Sequence, residues 1–146
     1  MTRPYLVPYK AEHAMSFLDR DKWSLVTWGE ATDRERYPSY TGMVDETILG
    51  CAGIILPWPG VGIAWLTMSP VAAVKFKIWM TRTCRRVLDD VSRSFHLHRL
   101  EAVVLDDSLV NKQWIEVLGF SVEKDGVAQR YLPDGRGVVR YERIIP

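Results

Sequence analysis

The chain has 146 residues, 47% of them hydrophobic and 25% charged, which suits one globular domain over 1–146 with a sizeable core. Nineteen basic against 18 acidic residues leave a formal net charge of +1, which excludes a bulk electrostatic drive toward nucleic acid or an anionic membrane and leaves only a local basic patch open. No run reaches the ~20 apolar residues of a spanning helix, the first residues lack a signal-peptide core, and Cys51 and Cys84 lack the spacing of a zinc or redox pair; the expectation is a cytoplasmic protein with reduced thiols and no metal.

In chain order, Tyr5 to Pro8 reads as a first strand, and Ala11 to Arg20 sets Ala14, Met15, Phe17 and Leu18 at helical spacing. From Asp21 to Pro38 the pattern is mixed, with Trp23, Leu25, Val26 and Trp28 in either a second helix or an irregular segment. Ser39 to Val44 and Thr47 to Leu56 form two strands around a turn at Asp45-Glu46, and the run Pro57-Trp58-Pro59-Gly60 should break any regular element. Val61 to Met68 is apolar enough for a central strand. It ends at Ser69-Pro70, a helix start, after which Val71, Val74, Ile78, Cys84, Val87, Leu88 and Val91 predict the apolar face of one helix of about five turns. Lys75, Lys77, Arg82, Arg85 and Arg86 occupy its other face.

Leu100 to Leu105 reads as a buried strand leading into Asp106-Asp107-Ser108. Asn111 to Leu118 predicts a two-turn helix, with Gly119 at a left-handed C-terminal cap. Phe120 to Lys124 and Gly137 to Ile145 close the chain as paired strands, with turn residues at Asp125-Gly126 and Pro133-Asp134-Gly135. That order predicts an α/β (α+β) fold, a mixed sheet with helices packed on it. The six tryptophans are expected mainly in the core.

The element order, together with His98-Arg99-Leu100-Glu101-Ala102-Val103-Val104, Trp114-Ile115-Glu116-Val117-Leu118-Gly119-Phe120, and the ending Tyr131-Leu132-Pro133-Asp134-Gly135 through Arg140-Tyr141-Glu142-Arg143, resembles the GCN5-related N-acetyltransferases, or GNAT superfamily. The resemblance is clearest from about Ile63 onward. It looks nearest to short phage-encoded members, including the acetyltransferase-like internal virion proteins of some short-tailed phages. It implies a mostly antiparallel central sheet with helices on both faces and one parallel strand pair splayed at its C-terminal ends. It also implies acetyl-CoA as cosubstrate and direct transfer of the acetyl group to the amine of a small molecule or protein. The first splayed strand would pair with the pantetheine arm through Leu66, Thr67 and Met68. The next helix would meet the pyrophosphate near Val71 to Lys75, which puts Val74, Lys75, Phe76 and Lys77 in the cofactor set, with Ser108 and Asn111 across from them.

Two departures from the family pattern follow from the same alignment. Its glycine-rich phosphate loop falls on Ala73, Val74, Lys75 and Phe76, which contain no glycine, and its general-acid tyrosine falls on Ile115, which has no proton to give. The resemblance therefore also implies an alternative, a catalytically inactive member serving as a phage assembly or virion protein. No catalytic residue is assigned. Glu46, Glu101, Asp106 and Asp107 are the carboxylates that could take a proton from an amine. Against that, solvated or capping roles suit all four, His96 and His98 fit a loop better than a metal site, and Trp114 fits packing better than a partner interface.

Overall fold

The structure is a computed structural model and describes residues 2–16 and 28–146. Seven strands form one sheet in the order β1-β2-β3-β4-β5-β7-β6. They are β1 Tyr5–Pro8, β2 Ser39–Val44, β3 Thr47–Trp58, β4 Val61–Met68, β5 Arg99–Leu105, β6 Ser121–Ala128 and β7 Val138–Ile144. Five helices are described: α1 Ala11–Met15, α2 Trp28–Asp33, α3 Pro70–Lys75, α4 Lys77–Ser94 and α5 Leu109–Val117, with a 3₁₀ turn at Arg34–Arg36. The pairings β1–β2, β2–β3, β5–β7 and β6–β7 are antiparallel and β4–β5 is parallel, so this is the mixed α/β sheet that the sequence implies. Phe17, Leu18, Trp23, Leu25 and Val26 lie outside the described residues.

The chain divides into two compact units. The first comprises Met1–Ile55 and Trp65–Leu88. Its core gathers Tyr9, Ala11, Ala14, Ala31 and Cys51, with Met15, Ile48 and Trp65 packed against them. Small residues dominate, so α1 and α2 can approach the strands closely. Gly50 lets β3 and β4 approach closely. A Cβ there would stand 2.7 Å from the Thr67 carbonyl oxygen, nearer than atoms pack.

The second unit comprises Leu56–Ala64 and Asp89–Pro146. Leu100 and Tyr141 are buried at its centre. The whole of β5 is paired with β7, from Arg99↔Ile144 to Leu105↔Val138. α5 ends in a Schellman motif: the Phe120 amide donates to the Ile115 carbonyl at 3.2 Å and the Gly119 amide to the Glu116 carbonyl at 2.9 Å. Gly119 takes the left-handed φ of +96° that this cap requires.

Several expectations are corrected. Pro57 lies inside β3 rather than ending it, beyond the last β2 partner at Gly53, where the strand has an open edge and a missing N–H is tolerated. Asp125-Gly126 does not turn the chain between strands; Asp125 adopts φ 55° and makes a bulge within β6, where the register to β7 shifts between Val122 and Val127. The single long helix is two helices broken at Phe76, whose φ −120° and ψ 21° are not helical. Ala72 of α3 and Met80 of α4 are the buried positions beside the break, whereas Val71, Val74 and Ile78, expected in the core, are 55%, 82% and 70% exposed. Trp58 is likewise exposed, whereas Trp65, Trp79 and Trp114 are half-buried.

Candidate functional site

In the second unit, the parallel ladder of β4 and β5 consists of Val61↔Arg99, Gly62↔Leu100 and Ile63↔Glu101. It ends there. β5 continues through Ala102, Val103, Val104 and Leu105 with β7 as its paired neighbour.

In the first unit, the remainder of β4 carries Leu66, Thr67 and Met68 into α3. The Ser69 amide donates to the Leu49 carbonyl at 2.8 Å, fixing this corner to β3. Ser69 is also the N-cap. Its Oγ accepts from the Ala72 amide at 3.2 Å and its carbonyl from the Ala73 amide at 3.2 Å. Proline at 70 has no N–H, so Val71 holds the first-turn amide without a partner among the described residues. Of the amides from Val71 to Lys75 expected to meet phosphate, those of Ala72 and Ala73 are bonded to Ser69. Lys75 and Lys77 are exposed, Val74 points outward, and Phe76 is half-buried at the break.

Ser108 and Asn111 belong to the second unit, where Ser108 caps α5 by accepting the Asn111 amide at 3.3 Å. Asp106 pairs with Lys112 at 2.9 Å. The side chain of Ile115, where a tyrosine acid would stand, is buried. Glu101 accepts from Arg99 Nε at 2.8 Å, and the same guanidinium binds Glu142, so this carboxylate is already engaged. Those two hydrogen bonds raise the Arg99 pKa above its usual range. His98 lies over Gly60, the turn glycine at φ +87°, where any Cβ would collide with the imidazole. Glu46 is exposed in the β2–β3 turn. Among the described residues no group of three or more histidine, cysteine or acidic side chains could hold a metal ion.

A second cluster, in the first unit, has no local sequence motif. Tyr9 meets Trp65 edge to face at 5.2 Å, and the Arg34 guanidinium lies 4.2 Å over the Trp65 ring. Burial lowers the Arg34 pKa, and burial above all pushes that of Tyr9 up to about 12. Behind them, Lys10 N–H donates to His13 Nδ1 at 3.3 Å, which makes that nitrogen an acceptor; Thr41, 2.7 Å away, therefore donates to it. Thr41 Oγ1 stands 3.5 Å from the Cys51 thiol, and burial raises the pKa of Cys51 to about 11. These contacts join distant stretches of chain, so no local motif could show them. In the second unit Tyr141 is similar: it is buried beneath α5, with Glu116, Lys112 and Asp106 nearby, and burial raises its pKa.

No protein-family model and no curated protein matches the chain. Solved structures match its fold. Ard1 from Thermoplasma volcanium is similar with TM-score 0.77 at 12% identity, over 98% of this chain and 98% of that one. A GNAT-family acetyltransferase from Bacillus anthracis gives 0.71 at 12%, over 97% and 95%. RimL, a ribosomal L7/L12 alpha-N-protein acetyltransferase in complex with coenzyme A, gives 0.71 at 14%, over 99% and 96%. A mixed sheet with a single parallel pair thus places the chain among acetyltransferase-like folds, and the fold is that of the GNAT acetyltransferases. At these identities the likeness carries the fold alone.

Proposed function

We propose that this chain is an acetyl-CoA-dependent N-acetyltransferase acting as one domain in the cytoplasm, in which a substrate amine attacks the thioester directly. The observation that supports this best is the early end of the β4–β5 ladder at Ile63↔Glu101 within a GNAT fold. Backbone that stops pairing so early has N–H and C=O groups to offer an extended ligand, as an added strand would use them. On this reading Leu66, Thr67 and Met68 hold the pantetheine arm, and Lys75 and Lys77 neutralise its phosphates beside Val74 and Phe76. Ser108, whose hydroxyl keeps its proton while capping α5, and Asn111 belong to the cofactor set through the resemblance alone. In the transfer the thioester C–S bond breaks, an amide bond forms, the amine gives up a proton and the thiolate receives one. The acceptor is the amine of a small molecule or a protein.

A second reading is a catalytically inactive phage assembly or virion protein that keeps the fold. Two observations favour it: the buried Ile115 in place of an acid, and the α3 amides already committed to Ser69. Release of free coenzyme A thiol during incubation with acetyl-CoA and a panel of primary amines separates the two. Amine-dependent release is expected for the enzyme. Cofactor binding without release under any amine would move the assignment to the second reading.

A further inference from the structure

From Pro70 to Leu88 the chain carries five cations, Lys75, Lys77, Arg82, Arg85 and Arg86, and no acidic residue. Since the whole chain is at +1, everything outside this stretch is net acidic. None of the five makes an ion pair among the described residues. Ile78, Arg82 and Arg85 stand at i, i+4 and i+7, one stripe of α4, while Met80, Thr83 and Leu88 fill the buried side. The exposed side chains of α3 and the first half of α4 thus combine aliphatic Val71, Val74 and Ile78 with unpaired positive charge.

That combination selects among occupants. A second copy placed by a two-fold axis through this face would set five cations against five more, a repulsive arrangement. A bare polyanion would satisfy the cations but leave the aliphatic tip in water. A lipid surface is met more deeply where aromatic side chains are free to insert, and of the nearby rings Trp79 lies against Gly42 and Phe76 is half-buried. Carboxylates interleaved with aliphatic side chains answer both features at once.

We propose that the outward face of α3 and the first half of α4 docks an acidic protein segment whose carboxylates alternate with aliphatic side chains. It does so on the chain without acetyl-CoA, whose phosphates would compete with the segment for Lys75 and Lys77. The test uses the full chain and a labelled amphipathic peptide with glutamate and leucine on one face, read by fluorescence anisotropy. A matched peptide with lysine for glutamate, phosphatidylserine vesicles and a single-stranded oligonucleotide serve as competitors of other chemistry. The acidic peptide should bind the parent protein. It should bind the R82E/R85E variant roughly tenfold or more weakly, and the V74S/I78S variant more weakly at unchanged salt dependence. The lysine peptide should prefer R82E/R85E over the parent. Because all four substituted side chains lie on the outward face, thermal melts of both variants should match the parent; a variant that melts early is replaced by R82Q/R85Q. Equal binding of the acidic peptide to parent and variants overturns the proposal, as does its failure to bind. Tighter uptake of vesicles or oligonucleotide, or self-association of the parent lost in the variants, overturns it equally.

Discussion

β5 is paired with β7 residue by residue along its whole length, and α5, which follows it, is capped at both ends by hydrogen bonds that leave little to solvent. The stretch from Leu66 to Lys77 in the other unit is built differently. Its helix is short, its proline lacks a donor, two of its amides close on Ser69, and its aliphatic side chains face outward. The first region is held by packing along β5, where Leu100, Ala102, Val104 and Leu105 are buried and a change costs stability, although Val103, Leu109, Val110 and Val117 are exposed. The second is held at a few backbone points, notably the Ser69 amide on the Leu49 carbonyl and the close approach of Gly50 to Thr67. Its side chains are free to serve a ligand or a partner, and that freedom is where a GNAT fold can keep, change or lose its chemistry.

The contrast can be broken at defined positions. Leu100→Ala, at the fully buried centre of the second unit, should cost about 2–5 kcal/mol in urea denaturation, as buried leucine truncations do. Gly50→Ala should cost about 1–3 kcal/mol by forcing β4 away from β3, because its new methyl meets backbone that cannot rotate aside. Alkaline titration should show a shared effect of comparable size. Burial raises the pKa of Cys51 and Cys84 from 9.0 to about 11 in the folded chain. Unfolding therefore releases their protons between those values, and stability, full below pH 9, should fall as pH rises through that window. Thiol titration should accordingly find both groups slow in the native protein and two free groups after denaturation. Ser69→Ala removes only the N-cap and should cost about 1 kcal/mol. Val74→Ser should change stability by less than about 0.5 kcal/mol; a loss comparable to that of Leu100→Ala would show that the outward face of α3 is not a free surface.

The same contrast governs what the residues alone revealed. β1, β2 and β4 fall where alternation and turn residues place them, and Gly119 marks its cap, because these are local signals. The long helix misled because seven apolar positions at helical spacing imply one buried face, and nothing local says that the helix breaks at Phe76 or that three of them face outward. Pro57 and Asp125-Gly126 misled for the opposite reason: both are turn chemistry, reused at an open strand edge and in a bulge. The proposed cofactor positions came from resemblance rather than spacing, and the structure divides them between a strand end, two exposed lysines and a helix cap. Tyr9, Arg34 and Trp65 were invisible beforehand because their contacts depend on tertiary packing.

The central claim is that this fold, with its glycine loop absent, still holds acetyl-CoA by strand backbone and lysine charge. A calorimetric titration with acetyl-CoA, run on the parent and on the K75A/K77A variant at low and high salt, tests it most directly. Micromolar binding by the parent that weakens as salt rises, with affinity roughly tenfold or more lower and less salt-sensitive in the variant, is the predicted result. No heat at millimolar acetyl-CoA, or an affinity and salt response unchanged in the variant, would contradict it.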